Sequence, residues 1–243
     1  MKRIKLEVAY EGTNYCGWQI QPKDTTIEGV LNEKLGSLLG EEITVIGASR
    51  TDSGVHALGN VAVFDTETEI PGERIARALN QRLPDDIVIQ SSKEVRDDFH
   101  PRYQDTRKTY EYTIYNSEFD NPVTARHHHF VYVPLDVERM RTAARYFLGE
   151  HDFLSFSTTG SPTKTTVRTI YECEVRQNSR YITMRVTGNG FLYNMVRIIV
   201  GTLVDIGRGR IKHNMEEIIN SKSRSMCGHT APAHGLFLKK VNY

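Results

Sequence analysis

Apolar and polar residues alternate from Lys2 to Tyr10, with Ile4, Leu6, Val8 and Tyr10 on one side, the period of a strand with one covered face. Thr25-Thr26-Ile27-Glu28 then resembles a capping box. It opens a helix whose apolar stripe is Ile27, Val30, Leu31, Leu35, Leu38 and Leu39, with Gly40 at the stop. Strands follow around Ile43 to Gly47 and Gly59 to Thr66. Pro71 and Gly72 start a helix carrying Ile75, Ala78, Leu79 and Leu83; Pro84 ends it, and a strand begins at Ile87 to Gln90. The order β-α-β-β-α-β is the split βαβ arrangement of ferredoxin-like domains.

The remainder nearly repeats it. Strands are expected at Tyr110 to Tyr115 and His129 to Val133, and a helix from about Asp136 to Leu148. Val167 to Arg176 and Tyr181 to Thr187 read as strands joined by a turn at Asn178-Ser179. A long apolar helix runs from about Phe191 to Ile206 and stops at Gly207. A short helix near Met215 to Ile219 precedes a last strand at Leu236 to Val241. The predicted class is α+β: two ferredoxin-like (βαββαβ) halves, residues 1–103 and 104–243, joined into one continuous antiparallel sheet with helices on one face and a central active-site cleft. The stretch Gly149 to Thr166, rich in Ser, Thr, Gly and Pro, is the candidate mobile loop.

Charge sharpens the division. Over residues 160–243 there are 13 Lys and Arg against 5 Asp and Glu, a local net of +8; residues 1–159 hold 18 and 25, a net of −7. Such polarity points to a polyanionic partner held by the second half. Cys16, Cys173 and Cys227 are few and far apart, which fits a reducing cytoplasm and argues against a disulfide framework or a Cys-based zinc site. No apolar run reaches membrane-span length, and Met1-Lys2-Arg3 leads into a strand rather than a signal segment.

Several kinds of chemistry drop out. There is no P-loop pattern, and Gly188-Asn189-Gly190 lacks the third glycine of a dinucleotide fingerprint. His127-His128-His129 cannot converge on one ion along a strand, whose neighbours point to opposite faces. The densest group is Arg50-Thr51-Asp52-Ser53-Gly54-Val55-His56, between two expected strands. In extended geometry Arg50 and Asp52 leave from the same face, and a cation beside a carboxylate favours its ionised form. Gly54 permits a sharp turn. Taken alone, the stretch also fits an exposed ion pair, and a His56–Asp52 pair without a nucleophile also fits a structural hydrogen bond. The connection from Arg96 to Lys108 alternates Arg96, Arg102 and Arg107 with Phe99, His100 and Tyr103, which offers phosphate contacts beside stacking surfaces. Arg197 lies on the long apolar helix, where it either meets an anionic partner or snorkels at a rim.

These segments resemble the TruA-type tRNA pseudouridine synthases along nearly the whole chain. The matching motifs include Val8-Ala9-Tyr10-Glu11-Gly12, Gly47-Ala48-Ser49-Arg50-Thr51-Asp52-Ser53-Gly54-Val55-His56-Ala57, Lys108-Thr109-Tyr110-Glu111-Tyr112, Met195-Val196-Arg197 and Thr230-Ala231-Pro232. Pro101, and Met226-Cys227-Gly228-His229, depart from the family pattern. The resemblance implies isomerisation of uridine to pseudouridine in the tRNA anticodon stem-loop, without cofactor or metal, by a cytoplasmic homodimer. It assigns the nucleophile to Asp52, active-site arginines to Arg50 and Arg197, the substrate-contacting aromatic to Tyr110 and an apolar wall to Leu236. A carboxylate at Asp52 can attack the ribose anomeric carbon, add to carbon 6 of the base, or assist loss of a ribose proton. A catalytically silent tRNA-binding module, another base-modifying enzyme such as a methyltransferase, and a general RNA chaperone are the rival readings.

Overall fold

A computed structural model describes residues 1–158 and 164–243. In chain order its main elements are β1 (Lys2–Tyr10), α1 (Ile27–Leu39), β2 (Ile46–Gly47), β3 (His56–Thr66), α2 (Gly72–Asn80), β4 (Ile87–Val95), β5 (Arg107–Asn116) and β6 (His129–Val131). There follow α3 (Val137–Ala144), β7 (Gly149–Asp152), β8 (Val167–Asn178), β9 (Tyr181–Gly188), α4 (Met195–Gly207), α5 (Met215–Asn220) and β10 (Leu236–Asn242). The chain is mixed α+β and divides into two compact units, Met1–Thr106 with Phe237–Tyr243, and Arg107–Leu236. The last strand, expected with the second half, therefore belongs almost wholly to the first unit.

In the first unit β1 lies between β3 and β4, antiparallel to both, and β2 pairs antiparallel with β3. β10 departs from the all-antiparallel expectation: Phe237 and Leu238 run parallel to His56 and Ala57. The alternation read from β1 is realised, with Ile4, Leu6, Val8 and Tyr10 all buried. Helices α1 and α2 add Ile27, Leu31, Leu35, Ile75 and Leu79 to the core. The cap of α1 differs from the expected box. Thr26 is the N-cap and accepts from Gly29 N, while the Glu28 carboxylate accepts from Ile20 N at 3.0 Å. The pairing of β1 with β3 slips between Val8 and Tyr10, an irregularity of the kind found beside functional loops.

In the second unit β9 lies between β5 and β8, and β7 pairs with β8, all antiparallel; β6 is parallel to β5 at Ile114–His129. Helix α4 buries 12 of its residues, as a core helix apolar on all sides must. It begins at Met195 rather than Phe191, because Asn194 takes a left-handed conformation (φ 60°) that breaks the apolar pattern into loop and helix. Helix α3 stops at Ala144, and a 3₁₀ turn carries Phe147 into a cluster with Phe153 and Phe156. Of the expected loop, Gly149–Asp152 is strand β7 and Leu154–Phe156 a 3₁₀ turn; residues 159–163 lie outside the described residues. No helix among the described residues is long and apolar enough to cross a membrane.

The histidine run is not one strand: His127 ends a 3₁₀ turn at Ala125–His127, His128 follows it, and only His129 lies in β6. His128 is buried, donates from Nε2 to Asp120 Oδ1 at 2.7 Å and packs on Tyr115. His129 stands edge-on to Tyr112 and to His229. Burial, reinforced by the positive charge of His229, Arg208, His234 and His128, pushes the His129 imidazole down to about 4. Its unfolded value is about 6.5, so its neutral form stabilises the fold fully above that pH, and the contribution is lost as pH falls toward 4. His129→Phe should therefore reduce the loss of stability between about pH 7.5 and about pH 5. Denaturant midpoints at the two pH values give the readout, and an unchanged difference would contradict the assignment.

Candidate active site

The Arg50–His56 stretch connects β2 to β3, and β1 with the segment after it holds it in place. Thr51 is buried, and both of its oxygens are bonded: Oγ1 lies 2.7 Å from the Tyr10 hydroxyl, and the carbonyl accepts from Trp18 N at 3.0 Å. Ser49 is held at both backbone groups by fully buried Asn60, whose Oδ1 accepts from Ser49 N and whose Nδ2 donates to Ser49 O. Beyond Asp52 the chain turns at once. Val55 N donates to Asp52 O at 3.1 Å, and Gly54 has φ +76°, the requirement of a type II turn at its third position. The Tyr15 carbonyl accepts from both Gly54 N and Ser53 Oγ.

These contacts depend on two close backbone approaches. A Cβ on Gly17, which has φ +84°, would meet Thr51 O at 2.6 Å, and a Cβ on Gly12 would meet Val55 O at 2.1 Å. Asp52 is half-buried in the resulting loop and Arg50 is exposed. His56, the first residue of β3, is fully buried and stacks on Phe237 with ring centroids 4.6 Å apart. Its Nδ1 lies 3.4 Å from Glu11 Oε1 but accepts from Gly12 N at 2.9 Å. A nitrogen that accepts from a backbone N–H carries no proton, so we read His56 as a structural acceptor rather than one half of an ion pair.

Tyr110, Arg197 and Leu236 belong to the second unit. Tyr110 is buried on β5 opposite Val186, with Phe191 edge-on at 5.1 Å. Arg197 is half-buried in the first turn of α4. Its Nε donates to Ala231 O at 2.8 Å, its Nη1 donates to Asn194 Oδ1 at 2.9 Å, and its own carbonyl accepts from Ala231 N. The guanidinium is thus oriented by its surroundings rather than snorkelling. The 228–231 segment lies directly on α4 because Gly201 has no side chain; a Cβ there would meet His229 O at 1.8 Å. Asp205 Oδ2 accepts from His229 Nδ1 and from His229 N, and Thr202 Oγ1 accepts from Gly228 N. Gly228 and His229 are therefore part of the packing against this helix. The segment continues to Pro232, whose carbonyl accepts from the buried Tyr112 hydroxyl at 2.8 Å, and to buried Leu236. Burial raises the Tyr112 phenol well above its usual range.

A family model described as tRNA pseudouridine synthase matches residues 7–104 and 143–243. The chain belongs to that family. It is 48% identical to the tRNA pseudouridine synthase A of Acetivibrio thermocellus, 46% to that of Thermoanaerobacter sp. strain X514 and 47% to that of Ruminiclostridium cellulolyticum, in each case over the full length of both chains. Pseudouridine synthases are isomerases that convert uridine to pseudouridine, here in tRNA. Arg50, Asp52, Arg197 and Leu236 fall in the matched segments; Tyr110 lies between them.

For a pseudouridine synthase, the supporting residues matter as much as the charged ones. Sequence reasoning placed Tyr10 in the core without its hydroxyl contact and gave no role to Asn60. A signal for Asn60 existed, since an amide inside an apolar strand must find hydrogen bonds. Asn60→Ala leaves two Ser49 backbone groups unsatisfied and should cost about 2–3 kcal/mol of stability by urea unfolding. Tyr10→Phe removes the hydroxyl that meets Thr51 Oγ1 and, at 3.5 Å, Asn60 Nδ2, and should cost about 1–2 kcal/mol. Both should lower pseudouridine formation in samples shown to be folded; full activity in both would mean that the loop does not need these clamps.

Proposed function

We propose that this enzyme acts on uridines of the tRNA anticodon stem-loop, with Asp52 as its nucleophile. The observation that carries the assignment is the half-buried carboxylate of Asp52 on a loop fixed on both sides, at Thr51 and at the Asp52–Val55 turn. In the isomerisation the N1–C1′ bond breaks and a C5–C1′ bond forms, N1 ends with a proton, and the C5 proton leaves. Nothing is oxidised or reduced and no atom is added, so the reaction calls for no cofactor. Asp52 must act ionised, by attack on C1′, by addition to C6 or by assisting loss of a ribose proton. Arg50, exposed two residues earlier, helps to open the helix or hold the displaced nucleotide. Tyr110 holds the base during rotation, Arg197 supplies positive charge, and Leu236 bounds the pocket. The residue motifs that resemble the TruA type support these roles.

The same resemblance supports a homodimer that holds one tRNA, and three free cysteines fit a cytoplasmic setting. Sedimentation velocity reads the dimer; a monomer at micromolar concentration would exclude a stable one.

The reaction is tested with tRNA tritiated at carbon 5 of uridine. Wild-type protein should release tritium with nothing added. Asp52→Asn should abolish release while binding tRNA within a few-fold of wild type. Binding lost in step with turnover would make Asp52 a structural residue.

A further inference from the structure

The segment between β4 and β5 contains an exposed aromatic surface that the site described above does not use. Its backbone is tied to the first unit. Arg3 Nη1 donates to the carbonyls of Asp97 and Phe99, and Tyr243 donates its hydroxyl to Pro101 O at 3.1 Å. The Phe99 and Tyr243 rings lie 4.9 Å apart, and the Lys5 ammonium sits over both. In the residues that follow, the rings of His100 and Tyr103 stack, with centroids 4.1 Å apart and planes 24° from parallel. His100 Nδ1 accepts from Arg102 N at 3.1 Å, which fixes the imidazole. Burial and the charges of Arg102 and Arg3 lower the His100 pKa, so the stacked ring is neutral at pH 7. Tyr103 is 84% exposed, although its ring is already ordered by the stack beneath it.

Arg102 is half-buried, and its Nε is shielded from water without a hydrogen-bond partner. Burial and then the positive charge of Arg50 act against its charged form, while Tyr103 and Glu28 act for it, and the net effect is a lowered pKa. A half-buried cation that feels a second cation is stabilised by an added negative charge. Phosphate suits a planar guanidinium particularly well.

We propose that Tyr103, His100 and Arg102 form a nucleotide subsite, in which an unpaired base of the tRNA stacks on the open face of Tyr103 and a phosphate is taken by Arg102. The subsite rests on the reading of tRNA as substrate. It is distinct from Tyr110, which is buried in the second unit. Stacking on a pre-ordered ring selects for a base lifted out of its helix, without selecting which base it is. Arg102 adds a contact that depends on salt.

The test uses the full-length protein and two readouts: anisotropy of a labelled unmodified tRNA transcript, and tritium release. Tyr103→Ala should raise Kd about tenfold, within the range expected for loss of one stacked base, and raise KM more than it lowers kcat. Tyr103→Phe keeps the ring and should restore both to within about twofold of wild type. Arg102→Gln should weaken binding and reduce the slope of log Kd against log salt by about one. Tyr103→Ala with wild-type Kd and KM would overturn the subsite, as would a Tyr103→Phe that fails to restore them. Failure of the parent reading looks different, because wild-type protein would then bind tRNA and release no tritium. The anisotropy series would still decide the subsite.

Discussion

Asp52 is positioned through its neighbour. The Thr51 hydroxyl shares a hydrogen bond with that of Tyr10 and the Thr51 carbonyl accepts from Trp18 N, so the residue before the carboxylate is held at two points. The residue two places further back is clamped by Asn60, and the residues after it turn under the Tyr15 carbonyl. Each partner comes from β1, from the segment following it or from β3. The strand pairing that builds the first unit therefore also fixes the loop. Gly12 and Gly17 are the condition for this arrangement, since side chains there would occupy the space of the Val55 and Thr51 carbonyls.

The second unit solves a similar problem with a helix. Arg197 is aimed by Asn194 and Ala231, and Ala231 can reach it only because Gly201 admits the preceding backbone onto α4. The buried Asp205 anchors that backbone through His229. In the first unit the backbone around Asp52 is held by polar groups of its neighbours, and in the second the Arg197 guanidinium is oriented by a backbone carbonyl and the Asn194 amide. That is the preorganisation an enzyme needs where charge must be presented without rearrangement.

Local periodicity made much of the fold legible. The alternation in β1 and the stripes of α1 and α2 reflect one-sided burial, which leaves its period in the sequence. Pairings between distant segments were not legible. The parallel approach of β10 to β3 joins residues nearly two hundred positions apart, and neither strand carries a mark of its partner. Strand β7 was hidden because Glu150, His151 and Asp152 show no apolar alternation. The start of α4 was misjudged because Leu192 is buried without being helical. At the site, Arg50 and Asp52 stood out through their charge and Arg197 as a cation on an apolar helix, while the roles of Tyr110 and Leu236 came through resemblance. The residues that hold them are mostly glycines and uncharged polar groups, which are common everywhere in proteins.

The return of Phe237–Tyr243 to the first unit also affects how the chain is made. The first unit is interrupted by the whole of the second, Arg107–Leu236. On the ribosome, β1 to β4 emerge long before β10, leaving the lower edge of β3 and the stacking face of His56 uncovered while the intervening residues are synthesised. An open strand edge is a template for unwanted pairing. The nascent chain thus passes through a stage in which the half bearing Asp52 is nearly built but unfinished, and the second unit must be made before that edge can close.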